Sequence, residues 1–367
     1  MNRRDFLKMS LLTGVGLSDA MSLARGWDAG RMNGPRTSSK MKYWVWTDIN
    51  GSATDADLKS KYRTLKSRGM TGVFLGGGIS DREFAIVKEC GLELHTWMWT
   101  TNRGDTWIRE NHPDWYQVSR TGKSCFDKPP YVDYYRWISP VIPGVQSYLE
   151  DKVAELARHE AVSGVHLDYV RYPDVILPRG LWAKYGLNQT EELPDYDFCY
   201  SDHTRAAFKK QSGRDPMEIV DPSHDAEWLH FRYDSVTSLV KKLTKVAHGH
   251  GKQITAAVFP TPRLARKICR QDWDKWPLDA ACPMIYHGFY LEPVEWIGDC
   301  VLENIQATRT PIYAGLYMPD FHSPTEFAKG LALVKAKGGS GVSLFGGVGD
   351  EYWLEFEKFA DALAVSG

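Results

Sequence analysis

The chain lacks several features that assign proteins to common classes. Its six cysteines form no Cys-x-x-Cys pair, which argues against a zinc ribbon or a thioredoxin-type site and favours buried free thiols. Neither charge is in excess, because 45 basic and 46 acidic residues leave a formal net charge of −1. Nothing in this balance points to nucleic acid as a partner or to an anionic membrane surface.

Motifs for metals and dinucleotides are missing as well. The sequence contains no HExxH motif, and its first predicted strand reads YWVWTD where barrel amidohydrolases carry a His-x-His pair. No glycine-rich dinucleotide fingerprint follows that strand, and the glycines at 76–78 lack the spacing of a phosphate loop. The sequence therefore predicts neither a metal ion nor an organic cofactor.

The N-terminus has the pattern of an export signal. Residues 2–8 read NRRDFLK, with twin arginines before Phe6 and Leu7, and a weakly apolar stretch follows from residue 9 to 24. This resembles a twin-arginine signal, and the stretch is too short and polar to span a bilayer stably. We predict an export signal over residues 1–24, a linker over 25–40, a periplasmic or secreted protein, and no integral membrane span after signal removal. A disordered basic N-terminus is the alternative.

What the chain has in abundance is aromatic side chains, with 14 Trp and 18 Tyr. Many can be core residues, since such rings bury large areas. However, Trp44, Trp46, Trp97 and Trp99 lie near the ends of predicted strands, and flat rings suit the faces of sugars. The aromatic content therefore favours a carbohydrate ligand.

From Lys42 onward, short apolar runs alternate with amphipathic stretches, which predicts a parallel α/β fold. Eight such units match a (β/α)8 TIM barrel of residues 41–367. Long insertions follow strands 3 and 4, at Thr101–Pro143 and Asp174–His224, and both are expected to surround an active site at the barrel mouth. The predicted strands are Tyr43–Ile49, Gly72–Gly76, Glu93–Thr100, Gly164–Tyr172, Gln253–Pro260, Asp279–Tyr286, Pro311–Met318 and Gly341–Gly346.

The segment GVHLDYVRYP, residues 164–173, carries the leading candidate for catalysis. Strand alternation predicts that His166, Asp168, Val170 and Tyr172 share the face that lines the barrel. Asp168 then reaches the C-terminal rim, where barrel enzymes hold their catalytic groups. The alternative is an aspartate that only caps the following loop.

Other residues of the same rim complete the candidate site. Asp48 and Asp320 trail strands 1 and 7 and are candidates for a second catalytic carboxylate, ahead of Asp350 and Glu351. Strand alternation places Arg171 on the opposite face of the strand from Asp168. If the end of the strand twists Arg171 back toward the cleft, its charge would lower the pKa of Asp168, which would suit a nucleophile. The histidines are candidates for substrate contact or, alternatively, core residues. Together the predicted substrate-binding residues are Trp46, His95, Trp97, Trp99, Asn102, His166, Arg171, Tyr172, Tyr286 and His287.

Several ordered motifs resemble the glycosyl-hydrolase-like family 10 group of bacterial (β/α)8-barrel proteins. The matching stretches are ELHTWMWTTNRG (93–104), ENHPDWY (110–116), GVHLDYVRYP (164–173), FRYDSVTSLVKKL (231–243), QDWDKWPLDAACPMIY (271–286) and GVSLFGG (341–347). The resemblance implies a carbohydrate-active hydrolase with Asp168 as its catalytic residue. Family 18 chitinases are more distantly similar, but Val170 stands where their catalytic Glu would be.

The sequence therefore predicts an exported glycoside hydrolase that cleaves a polysaccharide or oligosaccharide with carboxylate chemistry centred on Asp168. The first alternative is a non-catalytic barrel that binds glycans through the same aromatic residues. Hydrolysis of an amide or ester in the cell wall is a further alternative, because barrels host many chemistries.

Overall fold

The computed structural model describes residues 40–365, in which eight parallel strands form a nearly closed barrel. The hydrogen-bonded order is β6-β5-β4-β3-β2-β1-β8-β7, and isolated parallel bridges from Ala281 to Ile312 and from Met284 to Gly315 connect β6 with β7. The predicted TIM barrel is confirmed. Its strands are β1 Lys42–Asp48, β2 Gly72–Gly76, β3 Glu93–Trp99, β4 Gly164–Asp168, β5 Gln253–Val258, β6 Ala280–Pro283, β7 Tyr313–Tyr317 and β8 Gly341–Phe345.

Helices follow the strands, and short helices occupy the two predicted insertions after β3 and β4. None of the helices between residues 40 and 365 has the length and apolarity needed to cross a membrane. The predicted export signal and nearly all of the predicted linker lie outside the described residues. The helices are α1 Asp55–Ser67, α2 Asp81–Glu89, α3 Thr106–Asn111, α4 Pro143–Ala157, α5 Trp182–Tyr185, α6 Asp202–Ser212, α7 Ala226–Gly249, α8 Pro262–Cys269, α9 His287–Tyr290, α10 Trp296–Ala307, α11 Pro324–Ala336 and α12 Asp350–Val365.

The predicted extent of the fourth strand is wrong. β4 ends at Asp168, and Tyr169 adopts a left-handed backbone conformation with φ of 48°. The hydroxyl of Thr101 lies within hydrogen-bond distance of the carbonyls of both Tyr169 and Arg171, either of which can accept its proton, and so holds this turn. Because the strand stops there, its alternation does not extend to Val170 and Tyr172, which are buried outside the barrel.

Glycines inside the barrel make room for its largest side chains. A Cβ atom at Gly72 would lie 2.6 Å from the ring of Trp44, and one at Gly164 would lie 2.7 Å from the ring of His95. Such distances are shorter than van der Waals contact. The small residues of the strands therefore let tryptophan and histidine fill the interior, while two apolar clusters pack the outer faces of the strands against the surrounding structure.

Two buried histidines form a hydrogen-bonded chain in this interior. The indole of Trp46 donates to His166 Nε2 at 3.0 Å, so His166 carries its proton on Nδ1, which is 2.9 Å from Thr255 Oγ1. The same hydroxyl lies 3.0 Å from His95 Nδ1 and donates to it. His95 and His166 are thus neighbours, as predicted, but Thr255 links them.

Burial lowers the pKa of His95 to about 3 and that of His166 well below its usual value. Both rings stay neutral in the folded protein, whereas in the unfolded chain they bind protons below about pH 6.5. The free energy of unfolding should therefore fall as the pH drops below that value, by up to about 1.4 kcal/mol per pH unit for each histidine.

Urea denaturation between pH 7 and pH 4.5 measures this dependence, and His95→Gln is the informative variant. This variant should have a lower free energy of unfolding than wild type at pH 7. As the pH falls, that free energy should decline less steeply than in wild type, by up to about 1.4 kcal/mol per pH unit, because only one of the two buried histidines remains. If the free energy of unfolding declined equally steeply with falling pH in both proteins, the neutral, buried state of His95 would be contradicted.

Candidate active site

An aromatic pocket of about 280 Å³ opens at the C-terminal ends of the strands. Side chains from β1, β3, β4, β5, β7 and β8 reach it, and both insertions supply walls. Its predominantly aromatic lining gives flat surfaces for ring stacking, which is the property that sugar-binding sites need. The principal lining residues are Trp46, Trp97, Trp99, Tyr131, Tyr135, Asp168, Tyr169, Arg171, Asp174, Tyr185, Phe259, Tyr286, Phe289, Tyr290, Tyr317 and Phe345.

Asp168 is the last residue of β4 and lies on the wall of this pocket. Its Oδ2 accepts a hydrogen bond from the indole of Trp97 at 3.1 Å, and its Oδ1 accepts one from the backbone N–H of Tyr169 at 2.6 Å. Burial raises the pKa of Asp168, although both hydrogen bonds and the charge of Arg171 oppose the rise. Burial therefore favours the protonated form of the Asp168 carboxyl, which is the form that can donate a proton.

Arg171 reaches the same pocket because the chain turns at Tyr169. Its guanidinium bonds Asp174 Oδ2 at 2.9 Å and lies over the rings of Trp137, Tyr169 and Phe259. Arg171 does lower the pKa of Asp168, as expected, but burial has the larger effect and the net change is upward. The net rise in the pKa of Asp168 therefore favours a role as proton donor, whereas the charge of Arg171 alone would have favoured a nucleophile.

A second pocket of about 700 Å³ adjoins the first and shares Trp97 and Trp99 with it. Asp48, at the end of β1, lies in its lining together with Asn102. The side-chain Oδ1 of Asn102 accepts a hydrogen bond from the backbone N–H of Arg136 at 2.9 Å, which fixes the insertion to the strand end. The two pockets thus adjoin at Trp97 and Trp99, which line both of them.

The charged side chains of the second pocket are mostly paired. Arg103 binds Asp105 through two hydrogen bonds of 2.7 and 2.6 Å, and Lys152 binds Glu155 at 3.0 Å. Among residues 40–365, no hydrogen bond or ion pair engages the exposed carboxylate of Asp48. Its charge does act on Lys61, where attraction to Glu83 and Asp48 opposes the lowering of the pKa by burial.

The remaining predicted site residues lie outside both pockets. His95 and His166 are fully buried beneath the first pocket. The Tyr172 hydroxyl bonds Ser235 at 2.8 Å behind the barrel wall, because β4 ends before it. Asp320 accepts from the backbone N–H of Gly288 at 2.9 Å and lies 3.9 Å from His287; burial raises the pKa of Asp320 and lowers that of His287.

Several lining residues of the first pocket were not predicted, and some of them come from the insertions. Tyr131 and Tyr135 belong to the segment PPYVDYYRW at 129–137, and Tyr185 lies in α5 after β4. A dense aromatic run inside a long insertion after a barrel strand is a signal that could have identified the first two. Phe289 and Tyr290 carried no such signal, because they line the pocket only through the short helix α9.

The described part of the chain contains no cluster of three or more histidine, cysteine, aspartate or glutamate side chains placed to hold a metal ion. All six cysteines are free thiols; five are buried, as expected, and Cys90 is partly exposed.

Comparisons with solved structures identify the type of barrel. The glycoside hydrolase domain of PgaB (BpsB) from Bordetella bronchiseptica aligns with a TM-score of 0.65 at 11% identity, covering 89% of this chain and 98% of that domain. The spore cortex-lytic enzyme SleL of Bacillus megaterium QM B1551 aligns with a TM-score of 0.50 at 9% identity over 87% and 73% of the two chains. A variant of the α-galactosidase AgaA from Geobacillus stearothermophilus, bound to stachyose, has the same TM-score at 9% identity over 89% and 42%.

The chain therefore has a (β/α)8 barrel of the kind found in glycoside hydrolases. No family model matches its sequence, and no curated protein matches it either. Membership of the glycosyl-hydrolase-like family 10 group stays a prediction from the ordered motifs.

Proposed function

We propose that this protein is a glycoside hydrolase that cleaves a glycosidic bond in a polysaccharide or oligosaccharide, with Asp168 as its principal catalytic carboxyl. One observation carries the proposal: Asp168 lies at a barrel strand end in an aromatic pocket, with Trp97 donating to its carboxylate. Catalytic groups of barrel enzymes occupy this position. The glycoside hydrolase barrels among the similar structures support the same reading.

The pocket gives each part of the site a chemical role. The Trp97 indole and the Tyr169 backbone N–H fix the orientation of the Asp168 carboxyl. The raised pKa of Asp168 favours the protonated acid, which can donate to the oxygen of a leaving sugar. The aromatic walls stack on sugar rings and exclude bulk water, which strengthens electrostatic interactions at the bond that breaks.

The extent of the aromatic lining supports the proposed substrate class. Trp97 and Trp99 line two adjoining pockets, so the protein offers aromatic surface to more than one sugar unit. Both pockets are open at the barrel mouth, where the insertions add walls. We therefore assign an oligosaccharide or polysaccharide as the substrate.

The experiment is a hydrolysis screen of the purified protein against cellulose, xylan, mannan, starch, pectin, chitin, chitosan and peptidoglycan. New reducing ends with at least one of these glycans are the expected result. Binding of a glycan without any release of reducing ends would instead favour the non-catalytic glycan-binding barrel. Release of acetate or of an amine without new reducing ends would point to ester or amide hydrolysis.

Export through a twin-arginine signal is part of the proposal and rests on Arg3, Arg4, Phe6 and Leu7 in residues 1–24. Replacing both arginines by lysine should leave the precursor in the cytoplasm, as judged by immunoblots of cell fractions. Wild-type protein in a strain that lacks this pathway should be retained in the same way. Unchanged export of either would contradict the assignment.

A further inference from the structure

Arg171 binds the protein through only one end of its guanidinium group. Its Nη1 donates to the carbonyl of Tyr172 at 3.0 Å and to Asp174 Oδ2 at 2.9 Å. No hydrogen bond with residues 40–365 engages its Nε or its Nη2. These two nitrogens form the edge of the guanidinium that carries two parallel N–H groups, which match the two oxygens of a carboxylate. The edge suited to a bidentate anion contact is therefore left without a protein acceptor.

Aromatic rings flank the same guanidinium and fix its orientation. Its Cζ lies 4.7 Å from the ring centroid of Trp137, 5.0 Å from that of Phe259 and 5.2 Å from that of Tyr169. Only 6% of the Arg171 side chain is exposed. The rings hold the plane of the group, and the bond to Asp174 limits rotation within that plane. The free edge is thus preorganised, so that little conformational entropy is lost when a ligand binds to it.

The free edge faces the first pocket, which Arg171 lines. Two other buried arginines show the contrast. Among residues 40–365, the Nε atoms of Arg232 and Arg270 are fully buried without a partner, whereas neither Nε nor Nη2 of Arg171 is fully buried in this way. Because the Arg171 edge has neither a protein acceptor nor complete burial, it contacts the open space of the pocket.

The charges around the first pocket can accommodate a negative group beside Arg171. The carboxylate of Asp174 is engaged in its ion pair, and burial favours the uncharged form of Asp168. Lys184 adds a cation next to the lining residue Tyr185, with its ammonium 5.5 Å from the ring centroid. Within the described part of the chain, no ion pair neutralises this lysine.

We propose that Arg171 is a specificity-determining residue that binds the carboxylate of a uronic acid unit, so that the substrate is an acidic glycan. This inference rests on the proposed function and names the substrate class of the same site. The Nε and Nη2 groups donate in parallel to the two oxygens of the sugar carboxylate. Since the charge of Arg171 acts on the Asp168 carboxyl, the bound uronic acid unit shares the pocket with the catalytic group.

A neutral sugar would use the same edge less well. Hydrogen bonds between two ionised partners are shorter and roughly twice as strong as those between neutral ones, and a bidentate pair adds geometric specificity. A methyl ester of the uronic acid keeps the sugar and its ring faces but removes the charge. The comparison of a free acid with its ester therefore isolates the contribution of the guanidinium edge from that of aromatic stacking.

The first measurement uses the purified wild-type protein on polygalacturonate, alginate and hyaluronan, and on the methyl ester of each, at constant ionic strength. We expect new reducing ends from at least one of the three. Its KM should be about 10–100-fold lower for the free acid than for the ester, because only the acid forms a charge-assisted bidentate pair.

The informative variant is Arg171→Lys, which keeps a positive charge opposite Asp174 but lacks two parallel N–H groups. Its KM for the free acid should rise by about 10–100-fold, while its KM for the ester should change little. If this variant does not fold, the double variant Arg171→Met with Asp174→Asn supplies the same comparison without an unpaired charge.

Arg232→Lys is the matched control, because Arg232 also forms a buried ion pair, with Asp197, and lines neither pocket. Its side chain and that of Asp197 are 1% and 4% exposed. The control should lower the melting temperature as a buried pair is disturbed. It should nevertheless keep the wild-type ratio of the two KM values, which a merely structural role of Arg171 would keep as well.

Equal KM values for acid and ester in the wild-type protein would overturn the inference, as would an equal rise of both in Arg171→Lys. Cleavage of neutral glycans alone would overturn it too, but the proposed function would survive. Calorimetry separates the opposite case: binding of a uronic acid polymer through Arg171 without any cleavage would support the inference and end the proposed hydrolase function. If no glycan is bound or cleaved, both fail.

Discussion

Asp168→Asn should abolish turnover of the glycan that the wild-type protein cleaves. Asparagine keeps the shape of the side chain and can still accept from the Trp97 indole, but it can neither donate an acid proton nor act as a nucleophile. We expect kcat to fall by several orders of magnitude, about 10³-fold or more. Affinity for the intact glycan, measured by calorimetry, should change little, because stacking on the tryptophan rings does not depend on this charge.

The competing interpretation, in which Asp168 only caps the loop, makes the opposite forecast. Its Oδ1 does accept the backbone N–H of Tyr169, so a structural contribution exists. A purely structural residue would lower the melting temperature while leaving the activity of each folded molecule intact. Measuring both quantities on one preparation separates the two roles, and full activity per folded molecule would end the catalytic assignment.

Asp174→Ala should destabilise the protein by about 3–5 kcal/mol, because it leaves the buried guanidinium of Arg171 without its counter-charge. The side chains of both residues are only 6% and 5% exposed, so solvent cannot replace the lost partner. Burial is the largest single influence and acts to lower the pKa of Arg171, but the charge of Asp174 together with the effects of Cys269, Tyr135 and Tyr169 raises that pKa above its ordinary value, so the arginine stays charged. Urea denaturation monitored by tryptophan fluorescence measures the loss.

Glu355→Ala provides the matched control for a pair at the protein surface. Glu355 binds Lys358 on α12, and the two side chains are 28% and 69% exposed; surface pairs of this kind contribute about 0–1 kcal/mol. A similar loss in both variants would contradict the role of burial. Replacing Arg171 and Asp174 together by apolar residues should recover part of the stability, because no unpaired charge then remains.

We also expect Asp174→Ala to change the shape of the first pocket, because the displaced Arg171 packs against Tyr169 and Trp137. The backbone carbonyl of Asp174 also accepts the hydroxyl of Tyr131 at 2.7 Å, which ties the two insertions together. This contact explains how two long loops form a defined wall.

The sequence by itself determined the barrel and the location of its mouth. Apolar runs and amphipathic stretches alternate along the chain, and that periodicity arises from local geometry. The same local reasoning placed Asp168, Trp97 and Asp48 at strand ends, because parallel strands bring their C-terminal ends to one rim. It also identified both insertions by their length.

Only the tertiary structure decided which of these side chains meet. Trp97 and Asp168 are 71 positions apart in the chain, and no period or spacing encodes their contact. The left-handed turn at Tyr169 depends on Thr101 from another strand end, and it removed Tyr172 from the cleft while bringing Arg171 into it. Strand alternation is a local rule and fails where a contact from a distant segment ends the strand, which in this protein happens at the candidate active site.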